Sequence, residues 1–225
     1  MGIKRKQGKV AEGLTLRLNS GSMVSPSTSL RMLRRMLSEP KHAVEPLTKK
    51  QIRSRILMKL RKHKEGDREQ KSKIIKNKLF KLEVFKKAKY VMFYIAFDGE
   101  VDTKEMIKEA RKLGKIIAVP VCRRVAAIRP CILEDLRRLK KGLYGICEPA
   151  MRRFIDLERL DLVIMPGIAF DKSHNRLGRG KGCYDRFLRK LPVGIPKIGL
   201  AFDFQILPFI PATRFDVKLD KIHFA

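Results

Sequence analysis

Residues 161–185, DLVIMPGIAFDKSHNRLGRGKGCYD, constrain the fold of this chain more than any other segment. They begin with an apolar run, residues 162–165, which is followed by a proline and a glycine and predicts a strand buried on both faces. A glycine-rich basic loop follows, and apolar residues at helical spacing after it predict a helix that begins near Gly182. A strand, a glycine loop and a helix in this order commonly hold phosphate groups in proteins.

The loop joins a flexible backbone to positive charge. Gly178, Gly180 and Gly182 alternate with Arg179 and Lys181, so the backbone can approach an anion closely while two cations face it. The free N–H groups and the positive dipole end of the following helix favour an anion by about 0.3–1 kcal/mol. We therefore predict an anion-binding site at this loop.

Neither of the two common phosphate motifs fits the loop. A Walker A motif requires Ser or Thr after its Lys, whereas Lys181 is followed by Gly182 and Cys183. The dinucleotide pattern GxGxxG fails because its third glycine arrives one residue early. Asp185 lies in the first turn of the predicted helix, off its apolar face, where it is available to a metal or a cation. The alternative is a surface turn in which Lys181 and Asp185 form an ordinary i,i+4 pair.

A second helix is predicted to begin after Thr48. Thr48 and Gln51 have the spacing of a capping box, and apolar residues at helical spacing form a buried stripe that begins at Ile52. Lys49 and Lys50 occupy its first turn, where the helix dipole disfavours cations, and a bound anion would offset that cost. The alternative is that both lysines are solvated on an exposed face.

Strands and helices alternate along the chain. Buried strands are predicted at residues 91–95, 116–121 and 198–202, and Asp102 is predicted to cap a further helix. We therefore predict an α/β fold, a single three-layer domain with a parallel or mixed sheet covered on both faces. Ligands of such sheets bind at the C-terminal ends of the strands.

Three loops follow predicted strands and are expected to converge on one cleft. They comprise residues 97–100, residues 167–182 and the region of Asp203.

Charge and composition narrow the function classes. The chain has 225 residues and a formal net charge of +29, which favours polyanionic partners such as nucleotides or nucleic acids. No apolar run is long enough to span a bilayer, which argues against an integral membrane protein. The four cysteines form no CxxC pair, so we expect reduced cytoplasmic thiols rather than a zinc site or a disulfide framework.

Residues 1–44 are predicted to be a separate basic extension, and residues 45–225 the α/β domain. The extension mixes Ser, Gly, Lys and Arg with little apolar periodicity, except for a short basic amphipathic piece around Leu30, Leu33 and Leu37. A targeting peptide, a nucleic-acid arm and a mistaken translation start are all compatible with it. We expect that this extension is disordered or that it results from a mistaken upstream translation start.

Residues 166–188, PGIAFDKSHNRLGRGKGCYDRFL, resemble the signature PGxxFDxxGxRLGxGxGYYD of the 5-formyltetrahydrofolate cyclo-ligase family, also called methenyltetrahydrofolate synthetases. Residues 49–53, KKQIR, resemble the family's KxxLR element, and residues 97–103, FDGEVDT, resemble its EVDT segment. Residues 199–220 resemble its closing segment. The resemblance extends from Leu47 to the C-terminus and implies a fold of the NagB/RpiA/CoA-transferase type.

The resemblance also implies a reaction and a set of site residues. Family members convert 5-formyltetrahydrofolate to 5,10-methenyltetrahydrofolate with ATP and Mg²⁺, through a phosphorylated formyl group. By position in the motifs, the implied catalytic residues are Arg179, Lys181 and Tyr184. The implied ATP site comprises Lys49, Arg53, Gly178, Arg179, Gly180, Lys181, Gly182, Cys183, Tyr184 and Asp185. The implied folate site comprises Ile95, Glu100 and Cys183, and the implied metal ligands are Asp185 and Asp216.

Taken singly, two of these carboxylates have ordinary explanations. Asp216 is compatible with a capped turn before the last strand, and Glu100 with a solvated loop carboxylate. Only their joint place in the family pattern favours a functional role.

The chain departs from the family pattern at two positions. Cys183 replaces the first Tyr of GYYD, where the family's aromatic ring lies against the substrate, so a ring and a hydroxyl are lost together. A reactive-cysteine role at the helix start is the minor alternative for Cys183. His174 replaces a Gly, and the turn should survive because His tolerates positive φ better than most residues.

We therefore expect the protein to be a cytoplasmic monomer. Its expected partners are reduced folate and ATP, and a membrane is not among them. A nucleic-acid-binding protein on the same fold is the alternative, because the basic N-terminal arm adds to the charge of the chain. The sequence shows no aromatic-rich RNA-binding signature and contains no Trp.

Overall fold

A computed structural model describes residues 46–122, 127–142 and 145–225. The predicted extension of residues 1–44 lies outside the described residues. The helices are α1 (Lys49–Lys62), α2 (Glu65–Phe80), α3 (Glu83–Lys87), α4 (Lys104–Lys112) and α5 (Cys183–Leu188). The strands are β1 (Tyr90–Met92), β2 (Ile116–Cys122), β3 (Ile128–Ile132), β4 (Leu139–Lys141), β5 (Cys147–Pro149), β6 (Leu162–Met165), β7 (Ala169–Asp171), β8 (Arg176–Leu177), β9 (Lys197–Ala201), β10 (Ile206–Leu207) and β11 (Lys221–Phe224).

The centre of the fold is a six-stranded sheet of order β11-β9-β6-β1-β2-β3. Neighbouring strands pair in parallel except for β3, which runs antiparallel to β2 at one edge. β7, β8 and β10 form a small second sheet, and β4 pairs with β5. The mixed sheet confirms the predicted fold class.

Alternation along the strands divides the core into two layers. In β6 all residues are buried, and Leu162 and Ile164 belong to one apolar cluster while Val163 and Met165 belong to the other. A strand of this kind has no polar face, because both of its faces are covered. The sheet therefore lies between two apolar layers, as the sequence predicts.

α1 begins where the sequence predicts. The Gln51 N–H donates to the Thr48 hydroxyl at 3.3 Å, and the Thr48 N–H donates to the Gln51 side-chain oxygen at 2.8 Å, so the capping box is complete. Ile52, Ile56 and Leu60 are buried. This packing fixes α1 against the sheet and presents Lys49 and Arg53 on another face of the helix.

Several predicted boundaries differ from the observed ones by one to three residues. β1 ends at Met92 rather than Ile95. The apolar residues 93–95 are buried, but they lie in the loop that follows the strand. The helix expected after Asp102 begins at Lys104, and the Thr103 hydroxyl before it donates to the Tyr94 carbonyl at 2.6 Å. The Asp102 carboxylate accepts the Lys104 N–H at 2.9 Å, a capping contact of the kind predicted for it.

The turn between β7 and β8 has the predicted conformation. His174 has φ 64°, in the left-handed region where Gly is more usual. The His174 N–H donates to the Asp171 carbonyl at 3.0 Å, and the His174 carbonyl accepts the Leu219 N–H at 3.0 Å. The exchange of Gly for His therefore leaves the turn intact.

Across the described ranges, we find no helix with both the length and the apolar character needed to cross a membrane.

Candidate active site

A cavity of ≈ 330 Å³ lies at the C-terminal ends of the central strands. Ile95 enters it from the loop after β1, Cys122 from the end of β2, and Gly167 from the loop after β6. The remaining walls come from α1, the glycine loop (residues 178–182) and the start of α5. This is the position at which open α/β sheets bind ligands.

Every residue that the resemblance implies for the site lines this one cavity. These residues are Lys49, Arg53, Ile95, Glu100, Gly178, Arg179, Gly180, Lys181, Gly182, Cys183, Tyr184, Asp185 and Asp216. They come from separate parts of the chain, so the fold brings together what the motifs only suggest.

Asp203 was expected to reach the same cleft and does not line it. The Asp203 carboxylate pairs with Lys71 at 3.0 Å instead. The nearby Gln205 amide donates to the carbonyls of Gly167 and Ile168 at 2.8 and 3.0 Å. This segment therefore supports the cavity wall from behind.

The part of the cavity predicted to bind phosphates, the phosphate end, is formed by Lys49, Arg53, the glycine loop, Asp185 and Asp216. Gly180 and Gly182 have φ 100° and 62°, which L side chains adopt only with strain. The Arg53 Nε donates to the Gly178 carbonyl at 2.9 Å and ties the loop to α1.

Asp216 carries both a structural and a charged contact. Its carboxylate accepts hydrogen bonds from the Thr213 N–H at 2.6 Å and the Thr213 hydroxyl at 2.9 Å, which is the capped turn expected from the sequence. It also pairs with the Lys49 ammonium at 2.6 Å. Burial alone would raise the pKa of Asp216, but the hydrogen bonds from Lys49 and Thr213 outweigh it and hold the pKa below its usual value.

Arg176 is a functional candidate that sequence reasoning did not assign. Its guanidinium lies 3.0 Å from the Asp185 carboxylate, and its side chain is only 2% exposed. The Arg176 Nε is buried and has no hydrogen-bond partner among the described residues. A guanidinium this buried needs an anion, and Asp185 supplies one charge. Arg176 is the Arg of RLG in the family signature, and this position could have identified it as a site residue.

The Arg179 guanidinium contacts the loop of residues 97–100. It stacks over the Phe97 ring at 4.9 Å and pairs with Asp98 at 3.1 Å. A longer contact of 3.5 Å joins it to Glu100. Arg179 therefore links the glycine loop to the acidic loop (residues 97–100).

Glu100 belongs to the other end of the cavity and is not a solvated loop carboxylate. Its side chain is 10% exposed, and its carboxylate accepts the Phe97 N–H at 3.2 Å. Burial raises the pKa of Glu100 to about 7, although Arg179 opposes the shift. Burial, with Glu100 next to them, also raises the pKa values of Tyr94 and Tyr184. Both phenols therefore remain neutral hydrogen-bonding groups at pH 7.

Two further residues at this end of the cavity were not predicted. The Glu148 carboxylate is 4% exposed, lines the cavity and accepts the Cys122 N–H at 2.9 Å and an Arg152 N–H at 3.3 Å. Burial, with Cys183 nearby, raises the pKa of the Cys122 thiol to about 11. Cys122 is therefore an uncharged lining group. The part of the cavity predicted to bind the folate, the substrate end, comprises Ile95, Glu100, Cys122, Glu148, Cys183 and Tyr184.

Residues 46–225 match the model of the 5-formyltetrahydrofolate cyclo-ligase family. The mouse (Mus musculus) 5-formyltetrahydrofolate cyclo-ligase is 30% identical over 186 residues, which cover 77% of this chain and 92% of the mouse protein. This chain belongs to the 5-formyltetrahydrofolate cyclo-ligase family.

Solved structures agree with the family assignment. The structure of Aquifex aeolicus 5,10-methenyltetrahydrofolate synthetase superposes with a TM-score of 0.71 at 31% identity, covering 79% of this chain and 90% of the other. A 5,10-methenyltetrahydrofolate synthetase from Mycoplasma pneumoniae gives 0.66 at 25% identity, with 79% and 98% covered. The predicted cyclo-ligase resemblance and its fold are confirmed.

Proposed function

We propose that this protein cyclises 5-formyltetrahydrofolate to 5,10-methenyltetrahydrofolate with ATP, releasing ADP and phosphate. The observation that carries the proposal is a cavity whose lining includes both the basic glycine loop and the buried Glu100 carboxylate. Its volume lies within the range of small-molecule sites, about 300–1,000 Å³.

The chemistry requires the two ends to be joined. The oxygen of a formamide is a poor leaving group, so transfer of the γ-phosphoryl group to that oxygen makes it a good one. N10 then attacks the formyl carbon and loses its proton, and the C–O bond breaks as phosphate leaves. The protein must therefore hold the triphosphate and the formyl group side by side, which is a task of positioning and charge stabilisation.

The phosphate end supplies the cations. Lys49, Arg53 and Lys181 bind the phosphate oxygens together with backbone N–H groups of the glycine loop, where positive φ values leave room for close approach. Arg176 contributes a buried guanidinium at the same end. A low-exposure guanidinium is suited to charge that develops on a transferring phosphoryl group.

Asp185 and Asp216 would hold Mg²⁺ through their carboxylates. The described ranges contain no group of three or more His, Cys, Asp and Glu side chains that could hold a metal by themselves. This fits Mg²⁺, which proteins commonly hold with one or two carboxylates and substrate phosphates. When bound, the ion neutralises part of the phosphate charge. The pairs with Arg176 and Lys49 hold both carboxylates in place.

The substrate end receives the folate. Glu100 is the acidic group that holds it, Ile95 supplies an apolar wall, and Tyr184 lines the cavity beside Cys183. Cys183 leaves the folate without the aromatic contact of the family pattern, so affinity at this end is expected to be reduced.

The proposed enzyme is a cytoplasmic monomer. The four cysteines are free thiols, which suits a reducing compartment. Nucleic-acid binding through the basic arm concerns residues outside the described ranges, and no observation in the described part favours it.

The test is a spectrophotometric assay. The full chain is incubated with 5-formyltetrahydrofolate, ATP and Mg²⁺, and the absorbance of the methenyl product is followed. We expect product formation that requires both ATP and the divalent ion. A folded protein that forms no product would contradict the proposal.

A further inference from the structure

The guanidinium of Arg179 connects two loops that are distant in the sequence. Its backbone belongs to the glycine loop, but Nη1 donates to the Asp98 carboxylate at 3.1 Å, and Nη2 contacts the Phe97 carbonyl at 3.4 Å and Glu100 at 3.5 Å. Asp98 and Arg179 are separated by 81 positions. The contact therefore joins the phosphate end to the loop that carries Glu100.

Asp98 is also held from the opposite side. The Arg61 side chain of α1 donates to both Asp98 oxygens, at 3.1 and 3.2 Å. The hydrogen bond from Arg61, followed by that from Arg179, holds the pKa of Asp98 below its usual value. The carboxylate therefore remains charged and shared between two guanidinium groups at neutral pH.

The backbone of the acidic loop is constrained to present this carboxylate. Asp98 has φ 53°, an uncommon conformation for a residue with a side chain. Next to it, Gly99 has φ 83°, and a Cβ there would lie 2.5 Å from the Leu60 carbonyl oxygen. The loop is thus pressed against α1 in a conformation that other sequences would not easily adopt.

We propose that Asp98 is a positioning residue that acts through Arg179 and couples the phosphate end of the cavity to the substrate end. The proposal rests on the proposed function. It adds a role for a residue that neither the motif assignments nor the chemistry of the reaction requires.

The physical reason is the shared contact. A nucleotide that orders the glycine loop also fixes Arg179, and Arg179 holds the acidic loop mainly through Asp98, with longer contacts to Phe97 and Glu100. Less ordering is then left for the folate to impose on the acidic loop, so each ligand increases the affinity of the other. Such coupling is reciprocal by thermodynamic necessity. A surface ion pair without this role would affect stability only slightly.

The test is calorimetric titration of the full chain with 5-formyltetrahydrofolate, with and without saturating ADP, which cannot donate the phosphoryl group. We expect ADP to tighten folate binding by about fivefold or more in the wild-type protein. In Asp98→Asn, which keeps the shape of the side chain and tolerates positive φ, the ratio should approach one. Arg61→Ala should lower the ratio as well, because Asp98 is then held from one side.

The matched control is Asp135→Asn. Asp135 pairs with Arg137 at 2.9 Å and does not line the cavity, so this variant should keep the wild-type ratio. An unchanged ratio in both Asp98→Asn and Arg61→Ala, or an equal loss in Asp135→Asn, overturns the inference alone. A wild-type protein that binds both ligands without coupling also overturns it alone. A wild-type protein that binds neither ligand overturns the proposed function together with the inference.

Discussion

The two ends of the cavity are built in different ways. At the phosphate end, most of the groups come from one continuous segment, the glycine loop and the first turn of α5, and α1 adds Lys49 and Arg53. At the substrate end, Glu100, Cys122, Glu148 and Cys183 come from four separate segments. An anion site can therefore be formed locally by backbone N–H groups and nearby cations, whereas an enclosed folate site depends on the packing of the whole sheet.

The charges at the two ends differ as well. Carboxylates of the phosphate end are each paired, Asp185 with Arg176 and Asp216 with Lys49. Glu100 at the substrate end is buried with only a 3.5 Å contact to Arg179, and its pKa is raised to about 7. A substitution of Asp185 or Asp216 should therefore leave a cation without its ion-pair partner. A substitution of Glu100 should instead remove a carboxylate whose negative charge is costly to bury.

The largest effect is expected from Asp185→Asn. Turnover should fall by about 100-fold or more, because a charge at the proposed metal and phosphate site is lost. Stability should fall by about 3 kcal/mol, since the buried guanidinium of Arg176 loses its ion-pair partner. Steady-state kinetics and urea denaturation measure the two effects. Asp203→Asn, which removes an exposed partner of Lys71 outside the cavity, is the control. Turnover near that of the wild type would remove Asp185 from the site.

Glu100→Gln should make stability less dependent on pH. Since the folded-state pKa is about 7 and the ordinary value is 4.5, the folded protein binds the proton more tightly than the unfolded chain. Stability of the wild type therefore falls as pH rises from about 4.5 to 7, by up to about 3 kcal/mol. Gln has no charge to bury, so the variant should be more stable than the wild type at pH 8.5. Urea midpoints at pH 5 and 8.5 measure this, and parallel changes in both proteins would contradict it.

Cys183→Tyr tests the substrate end without adding charge. A restored ring should lower the KM for 5-formyltetrahydrofolate by about two- to tenfold, because an aromatic contact contributes about 0.5–1.5 kcal/mol. The KM for ATP should not change. Cys183→Ser, which removes the thiol without adding a ring, should leave both values near those of the wild type. A change in the KM for ATP alone would place Cys183 at the phosphate end and contradict this prediction.

The smallest effect is expected from His174→Gly. Gly relieves the positive φ of 64° but increases the freedom of the unfolded chain, so stability should change by about 1 kcal/mol or less. Turnover should be unchanged because the turn does not line the cavity. Thermal unfolding and the turnover assay measure both, and a clear loss of turnover would show that the turn acts on the site.

The fold could be predicted where local patterns agree with packing. The strand at residues 162–165, the capped start of α1 and the helix start at Gly182 were all indicated by spacing and composition. The end of β1 could not be predicted, because Phe93, Tyr94 and Ile95 are buried although they lie outside the strand. Apolar composition reports burial, and it does not say whether a buried segment is a strand or a loop.

The site could be predicted where the family motif is continuous. Glu148 and Cys122 were missed because their contact joins positions 26 apart, through the packing of separate strands. The interaction between Arg179 and Asp98 was missed for the same reason. The cations of the glycine loop line the same cavity as Lys49 and Arg53, but only the fold shows that Arg179 also reaches the acidic loop.

Paired KM measurements on Lys49→Ala and Glu100→Gln test whether one cavity binds ATP at its phosphate end and 5-formyltetrahydrofolate at its substrate end. Lys49→Ala should raise the KM for ATP by about tenfold and leave the KM for 5-formyltetrahydrofolate nearly unchanged, because a charge-assisted contact to phosphate is lost. Glu100→Gln should raise the KM for 5-formyltetrahydrofolate by a similar factor and leave that for ATP nearly unchanged. If both variants raise the same KM, or if neither KM changes, this division of the cavity into two ends is contradicted.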